Sequence, residues 1–346
     1  MINIFLKLKY ILYHCTRIKQ KLSTQNQLIM KKVLLSASIA FMMFSCQKED
    51  NSSTDQVDTT AHRGCASHEV LERQMQEDPG LASRMAAIEQ QTSEVIKNNR
   101  LVNGVIEIPV IFNVLYNGTT ENISLAQLQS QIDVLNADYA ATNADYNTAN
   151  NPYSSVRSGN FNVRFVLDQV IRKSTKKRSW GTDDSMKKST QGGISPTSPT
   201  TKLNIWVCNL GSSLLGYAQF PGGAAATDGV VLHYKYTGTT GTATAPFNLG
   251  RTATHEVGHW MNLRHIWGDA NCGNDFVADT PLHDSSNYGV PAVGHRSTCT
   301  GTPLEMYMNY MDYTDDRGMY MFSQGQKERS LAIFAAGGAR ASFAQP

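Results

Sequence analysis

Apolar positions along the chain fall into blocks of different period, and the period changes several times. From Val105 to Tyr116 the chain is rich in Val and Ile and stops at Asn117-Gly118, the pattern of a strand running into a turn. Ser124-Leu125-Ala126-Gln127 has the spacing of a capping box, and Leu125, Leu128, Ile132, Leu135 and Tyr139 then recur at helical intervals. Phe161, Val163, Phe165 and Leu167 alternate as in a half-buried strand. Leu203 to Leu210 and Gly229 to Tyr234 predict further strands, and Ser323-Gln324-Gly325-Gln326 opens a last helix that reaches Phe334. Strands and helices mix without a regular βαβ repeat, which predicts one α+β domain over about 105–340. Residues 174–200 are rich in Lys, Ser, Thr, Gly and Pro and predict a long surface loop.

The N-terminal third has another texture. Residues 61–100 are charged, with helix formers from His68 to Lys97 but too little apolar surface for a core of their own. A segment that must lean on another domain suits a pro-segment; a helical stalk is the alternative. Upstream, Met30-Lys31-Lys32 precedes a 12-residue apolar run, Val33 to Phe44, and then Ser45-Cys46. A membrane-spanning helix needs about 20 apolar residues, so the run reads as a secretory signal. With Cys46 at the cut it resembles a bacterial lipoprotein signal over 30–46, in which that Cys receives lipid; plain secretion is the alternative. Met30 is then the initiator and residues 1–29 an upstream artefact. Gln47-Lys48-Glu49-Asp50 resembles a signal for display on the outer surface, and residues 47–60 form a flexible tether. The predicted destination is secretion across the inner membrane to an outer-membrane or cell-surface lipoprotein, released if activation cuts the chain downstream.

Composition sharpens this picture in one respect. Of the 346 residues 41% are hydrophobic and 17% charged, too apolar for disorder and too polar for a multi-span membrane protein. The formal net charge is +2, but residues 1–32 carry seven Lys or Arg and no acid, which leaves −5 for the rest. A mildly acidic body lacks the basic face of a nucleic-acid binder.

The chemistry concentrates in Thr252 to Asp269, which holds three of the nine histidines. His255 and His259 are four apart, so on a helix both imidazoles reach one metal from the same face. Glu256 stands beside the first ligand, placed to hold a water rather than the metal. His265 lies six residues beyond His259, more than half a turn away on a straight helix. The chain must therefore break near Asn262 to deliver a third imidazole. Asn is the best tolerated residue after Gly in the left-handed conformation such a turn requires.

The run His255-Glu256-Val257-Gly258-His259-Trp260-Met261-Asn262-Leu263-Arg264-His265, followed by Asn309-Tyr310-Met311-Asp312-Tyr313, resembles the metzincin zinc peptidases and, more closely, the pappalysin family. The resemblance covers about Cys65 to Phe334. It includes Gly216-Tyr217-Ala218-Gln219-Phe220-Pro221, Thr227 to Leu232, Asp279-Thr280-Pro281 and Thr314-Asp315-Asp316. The position of Asn262 is Gly in the family motif.

The resemblance implies a twisted mixed β-sheet with a backing helix, an active-site helix and a C-terminal helix. It implies zinc on His255, His259 and His265, a zinc-bound water activated by Glu256, and Met311 beneath the site in a Met-turn. Tyr313 is implied either as an oxyanion stabiliser or as packing beside Met311. Gly216, Tyr217 and Ala218 are implied to bind an extended peptide or protein substrate as an added strand. Asp315 and Asp316 are implied near a pocket that favours Arg or Lys after the scissile bond, with Arg317 close enough to neutralise it. Asp275, Asp279 and Thr280 are implied calcium ligands; Asx-turn hydrogen bonding is the other reading. The function that follows is a zinc endopeptidase acting on extracellular proteins and made as a latent precursor. A surface lipoprotein that keeps the fold but only binds, and a structural module with a fortuitous motif, are the competing classes.

Cys65, Cys208, Cys272 and Cys299 remain once Cys15 and Cys46 are set aside, and four cysteines allow three full pairings. Cys272–Cys299 is favoured, because both flank one loop and the compartment is oxidising. The family often carries a second pair nearby; Val290 and Gly318 stand near its place. Cys208 reads as a small buried hydrophobe. Arg63-Gly64-Cys65 resembles a cysteine switch, in which the thiolate takes zinc's fourth position, although Ala66 follows where Gly is usual. A surface thiol or a disulfide to Cys208 is the alternative. Release would need a cut around Asn99-Arg100, which places the catalytic domain at 101–346.

Overall fold

A computed structural model describes residues 62–148, 150–211 and 214–344. The signal, the tether and Cys46 lie outside the described residues. Two helices, α1 (Ser67–Glu77) and α2 (Leu81–Lys97), come first and are separated at Asp78-Pro79-Gly80. Pro cannot donate the next helical hydrogen bond, so the helix-forming run divides there. Five strands follow: β1 (Ile106–Tyr116), β2 (Val163–Ser174), β3 (Leu203–Cys208), β4 (Gly216–Ala218) and β5 (Val230–His233). Helix α3 (Leu125–Tyr139) joins β1 to β2, α4 (Arg251–Trp260) follows β5, and α5 (Gln324–Ala332) closes the chain.

The sheet order is β2-β1-β3-β5-β4. β1 runs parallel to β2 and β3, β3 parallel to β5, and only the short edge strand β4 is antiparallel, to β5. The fold is α+β, with a mixed sheet as expected. β1 reads as a near-continuous apolar run because it lies inside the sheet and is covered on both faces. Phe112 and Val114 point into the main core with Leu128, Leu135 and Tyr139 of α3, and with Val257 and Trp260 of α4. The zinc-motif helix is therefore pressed between the sheet and the C-terminal elements, and all ten of its residues are buried.

Two local expectations need correction. Ser124 caps α3 through the Gln127 N–H, but the Gln127 side chain turns to the Tyr234 and Thr237 carbonyls, so only half of a capping box forms. The full reciprocal box sits at Ser323 and Gln326 of α5. Residues 174–200 are not merely a surface loop. β2 extends to Ser174, and Trp180, Met186 and Ile194 then pack with Trp206, Tyr217 and Val231 on the second face of the sheet. These few apolar residues stand at irregular intervals, so no period announces them.

Helices α1 and α2 lean on the body. Val70 joins the cluster around Trp206, Leu71 and Leu81 cover Phe220, and Val95 packs on Ala332 and Ala335. Cys272 and Cys299 form a disulfide, with Cα atoms 5.7 Å apart, that ties the loop after the zinc motif. Val290 packs against Gly318, where a Cβ would come within 3.1 Å of it. Cys208 is unpaired and buried in β3.

Candidate active site

Helix α4 supplies the first two imidazoles from one face, as the i, i+4 spacing requires. It ends at Met261, and Asn262 follows at φ +73°, in the left-handed region. That one residue reverses the chain and returns His265 to the same point. The three Nε2 atoms converge: His259 lies 3.2 Å from His255 and 3.0 Å from His265. Each Nδ1 is already engaged, on the Tyr310 carbonyl at 2.6 Å, the Leu263 carbonyl at 2.8 Å and the Asp269 carboxylate. These bonds fix the tautomer, so three lone pairs face one another with no proton between them. Burial and the neighbouring imidazoles hold His255 well below its usual value, and burial with His265 does the same for His259. Burial alone would raise Asp269, but the His265 contact wins and holds its carboxyl at about 2.

Cys65 completes the cluster. Its Sγ and the three ring nitrogens all lie within 4.8 Å of one another, and all four residues are buried. The donor set and spacing fit zinc, whose N and S ligands sit about 2.0–2.3 Å from the ion at tetrahedral corners. Met311 is fully buried below, with its sulfur where a Cβ on Gly258 would come within 2.5 Å. The motif therefore needs Gly at 258 for the floor of the site, not for the turn.

Glu256 is buried on the opposite side from the floor. Its carboxyl is pushed up to about 8 by burial, against hydrogen bonds from Ser67 and Cys65. Gly216 of β4 sits directly over it: a Cβ there would come within 3.0 Å of the Glu256 Cγ. The Tyr313 hydroxyl donates to the Cys65 carbonyl at 3.1 Å, and its ring lies 5.0 Å from that of His265.

The chain before α1 runs along β4. Leu215 N–H donates to the Gly64 carbonyl and Ala66 N–H to the Gly216 carbonyl, so Cys65 pairs with Gly216 in parallel. The Tyr217 side chain turns away from this edge, and its hydroxyl donates to Asp184 at 3.0 Å. Its backbone pairs with Val231 of β5, and the groups on the edge are Leu215 N–H, the Gly216 carbonyl and Ala218 N–H.

Ser67 carried no sequence signal, and neither did the pairing of Arg63 with Asp316. Ser67 donates to the Glu256 Oε2 at 2.9 Å and accepts the Ala218 N–H at 2.8 Å. Arg63 reaches Asp316 at 2.5 Å, with both side chains almost fully buried, and stacks over Phe247. Asp316 also accepts the Leu249 and Arg251 N–H groups at the start of α4. Asp315 does not meet Arg63; its N–H donates to the Gly289 carbonyl. Arg317, expected as a neutralising neighbour, is exposed, and Asp316 pairs with Arg63 instead.

The calcium expectation gains no support. Asp275 takes the Thr280 hydroxyl at 2.8 Å, whereas Asp279 takes the Ser323 hydroxyl and the Gly325 N–H at the start of α5. Val277 N–H also donates to Asp275, the Asx-type bond of the alternative reading, whereas Asp279 caps α5. Among the described residues, only Cys65 and the three histidines bring three or more His, Cys, Asp or Glu ligand atoms together.

Fold and site together define a metzincin-type zinc metallopeptidase. The family model described as pregnancy-associated plasma protein-A matches residues 198–335. Extracellular metalloprotease 1 of Coccidioides posadasii is 34% identical over 243 residues, covering 66% of this chain and 77% of that protein. The extracellular metalloprotease of Arthroderma benhamiae is 32% identical, covering 67% and 80%. Among solved structures, mature mirolysin of Tannerella forsythia in complex with a cleaved peptide is 43% identical, with a TM-score of 0.68, over 70% of this chain and 97% of that one. A promirolysin mutant from the same organism is 40% identical, with a TM-score of 0.74, over 82% and 97%. The chain belongs to the pappalysin family of zinc metalloproteases.

Proposed function

We propose that the protein is a secreted zinc endopeptidase held latent by its own residues 61–100, with the catalytic domain at 101–346. The carrying observation is the convergence of three buried Nε2 atoms, each with its Nδ1 engaged, on the sulfur of Cys65. His255, His259 and His265 would hold the metal in the active form, with Cys65 as a fourth ligand in the precursor. Zinc bound there supplies Lewis acidity toward water and toward a peptide carbonyl. Glu256 takes the proton from the attacking water and returns it to the leaving amine. Tyr313, hydrogen-bonded to the Cys65 carbonyl, stands where it can donate to a substrate oxygen after Cys65 leaves.

The edge of β4 would take an extended substrate, because Leu215 N–H, the Gly216 carbonyl and Ala218 N–H already bind the segment that covers them. Peptide binding to mature mirolysin supports this reading. Arg63 on buried Asp316 supports a pocket for a basic residue immediately after the scissile bond. Release of 61–100 would follow a cut around Asn99-Arg100, both exposed. Residues 30–46 would be the signal, with Cys46 lipidated and 47–60 as the tether, so that the same cut frees the enzyme from its anchor. The extracellular names of the fungal relatives support export.

The test is cleavage of an unfolded protein by enzyme activated from the full chain, with the products read by mass spectrometry. Cleavage should disappear with a zinc chelator, and with Glu256→Ala it should fall by about 10²–10⁴-fold while zinc stays bound. A zinc-loaded, folded enzyme that leaves the substrate intact would establish a binding protein instead.

A further inference from the structure

The segment that covers the metal site sets down two arginines, one on each side of Cys65, and each meets a buried aspartate. Arg63 lies on Asp316. Arg73, on α1, lies on Asp184, whose side chain is 2% exposed. We propose that Asp184 forms a second cation-binding subsite, which in the mature enzyme receives an Arg or Lys of the substrate three or four residues before the scissile bond. The assignment of sides rests on the reading of Asp316 as the pocket for the residue after that bond.

The cradle belongs to the body of the protein. Asp184 sits at φ +58°, in the left-handed region that Asp tolerates better than most non-glycine residues. Its Oδ1 is occupied by the Lys187 Nζ at 2.9 Å and the Tyr217 hydroxyl at 3.0 Å. Tyr217 is part of β4, so the carboxylate is fastened to the strand whose edge would bind substrate. Its Oδ2 faces the other way and takes Arg73 Nη2 at 2.5 Å and Gln74 Nε2 at 3.4 Å. The Thr182 carbonyl accepts from the same Nη2 at 3.1 Å. A carboxylate and a carbonyl aimed at one nitrogen suit a guanidinium or an ammonium. A cavity of about 160 Å³ lies beside the pair, lined on the body side by Lys188, Gly223, Ala224 and Thr227.

Release of the segment removes both donors to Oδ2. Lys187 is buried and stays with Oδ1 and the Thr227 carbonyl, so it leaves Oδ2 unfilled. An acceptor stripped of its partners favours a ligand that restores them. Position follows from chain geometry. Gln74 also donates to Gln219, the residue after β4, so the cradle lies off the Ala218 end of the edge, away from Asp316. Arg73 is six residues into α1, about 9 Å of helix at 1.5 Å per residue. An extended substrate covers that distance in about three residues at ~3.3 Å each.

The test is cleavage-site profiling of a peptide library by enzyme activated from the full chain, wild type beside Asp184→Asn. Arg and Lys should be enriched at the third or fourth residue before the bond with wild type and not with Asp184→Asn. A matched peptide with norleucine in place of that arginine should show about a tenfold lower kcat/KM, carried by KM. No enrichment on that side with wild type, or an enrichment that survives Asp184→Asn, would overturn the proposal. The same profile reports the residue after the bond independently: without Arg or Lys there, the reading of Asp316 fails instead. If Asp184→Asn does not accumulate, D184N/K187M removes the buried pair together, and the wild-type peptide pair decides the matter alone.

Discussion

The metal cluster and the clamp that covers it are built on different length scales. His259 and His265 are oriented by partners four residues away, and His255 by one 55 residues away. The contacts that block the cluster bridge far longer stretches: Ser67 to Glu256 spans 189 residues and Arg63 to Asp316 spans 253. A ligand set made by a single turn around Asn262 survives in sequence as a short motif. A clamp made by two distant stretches leaves no periodicity and no spacing. The lesson is that the capacity to bind metal is a local property of this chain, and latency is a property of its tertiary structure.

The largest effect is expected at Cys65. If one metal ligand is worth about a quarter of the ~10–16 kcal/mol that a structural zinc site contributes, its loss amounts to roughly 2.5–4 kcal/mol. Cys65→Ala should then raise the activity of uncut precursor by about a hundredfold or more, and Ser67→Ala, which removes one hydrogen bond to a carboxylate, by only about tenfold. A Cys65→Ala precursor no more active than uncut wild type would show that the long-range contacts alone maintain latency.

Removing the disulfide with C272A/C299A should lower unfolding stability by up to about 3.5 kcal/mol, read by urea denaturation. Zinc affinity should be unaffected, because no ligand lies in that loop. Asp269→Asn tests the local side: weaker orientation of His265 should reduce zinc affinity about 10–100-fold in competition with a chromophoric chelator. Unchanged affinity would mean that the turn at Asn262 positions the third imidazole unaided.

The smallest effect concerns Asp275, whose carboxyl burial pushes up to about 6. A carboxyl raised above its unfolded value of about 4 contributes stability that is full below pH 4 and lost as the pH rises through 6. Asp275→Asn should flatten that part of the pH profile of unfolding. If calcium raised the melting temperature of wild type at pH 7 but not of Asp275→Asn, the loop would be a cation site after all.

Periodicity and spacing mark only those parts of the molecule that are built from neighbouring residues. The strands around Phe112, Phe165 and Ile205 were legible from apolar runs, and the last helix from its start at Ser323-Gln324-Gly325-Gln326. The need for a reversal at Asn262 followed from helical geometry alone. Asp184, Lys187 and Trp180 were hidden in a stretch whose Lys, Ser and Gly content resembles solvent-exposed chain. Lys187 is buried because Asp184 neutralises it, and pairing of that kind is invisible to composition. Asp279 shows the converse: a carboxylate in an acidic loop suggests a cation, and the N-terminus of α5 satisfies it instead.

Arg329 joins two functions that evolution and engineering would otherwise adjust separately. Its Nε holds the Asn262 carbonyl at 2.8 Å, at the reversal that delivers His265, while its two Nη atoms grip Glu89 on α2 at 2.6–2.7 Å. Arg329 is buried and Glu89 is one-third exposed. The grip of the inhibitory helix can therefore be tuned freely at Glu89, whereas any change at Arg329 also disturbs the metal-bearing turn. Variation among natural or designed forms of this precursor should accumulate on the Glu89 side of that pair.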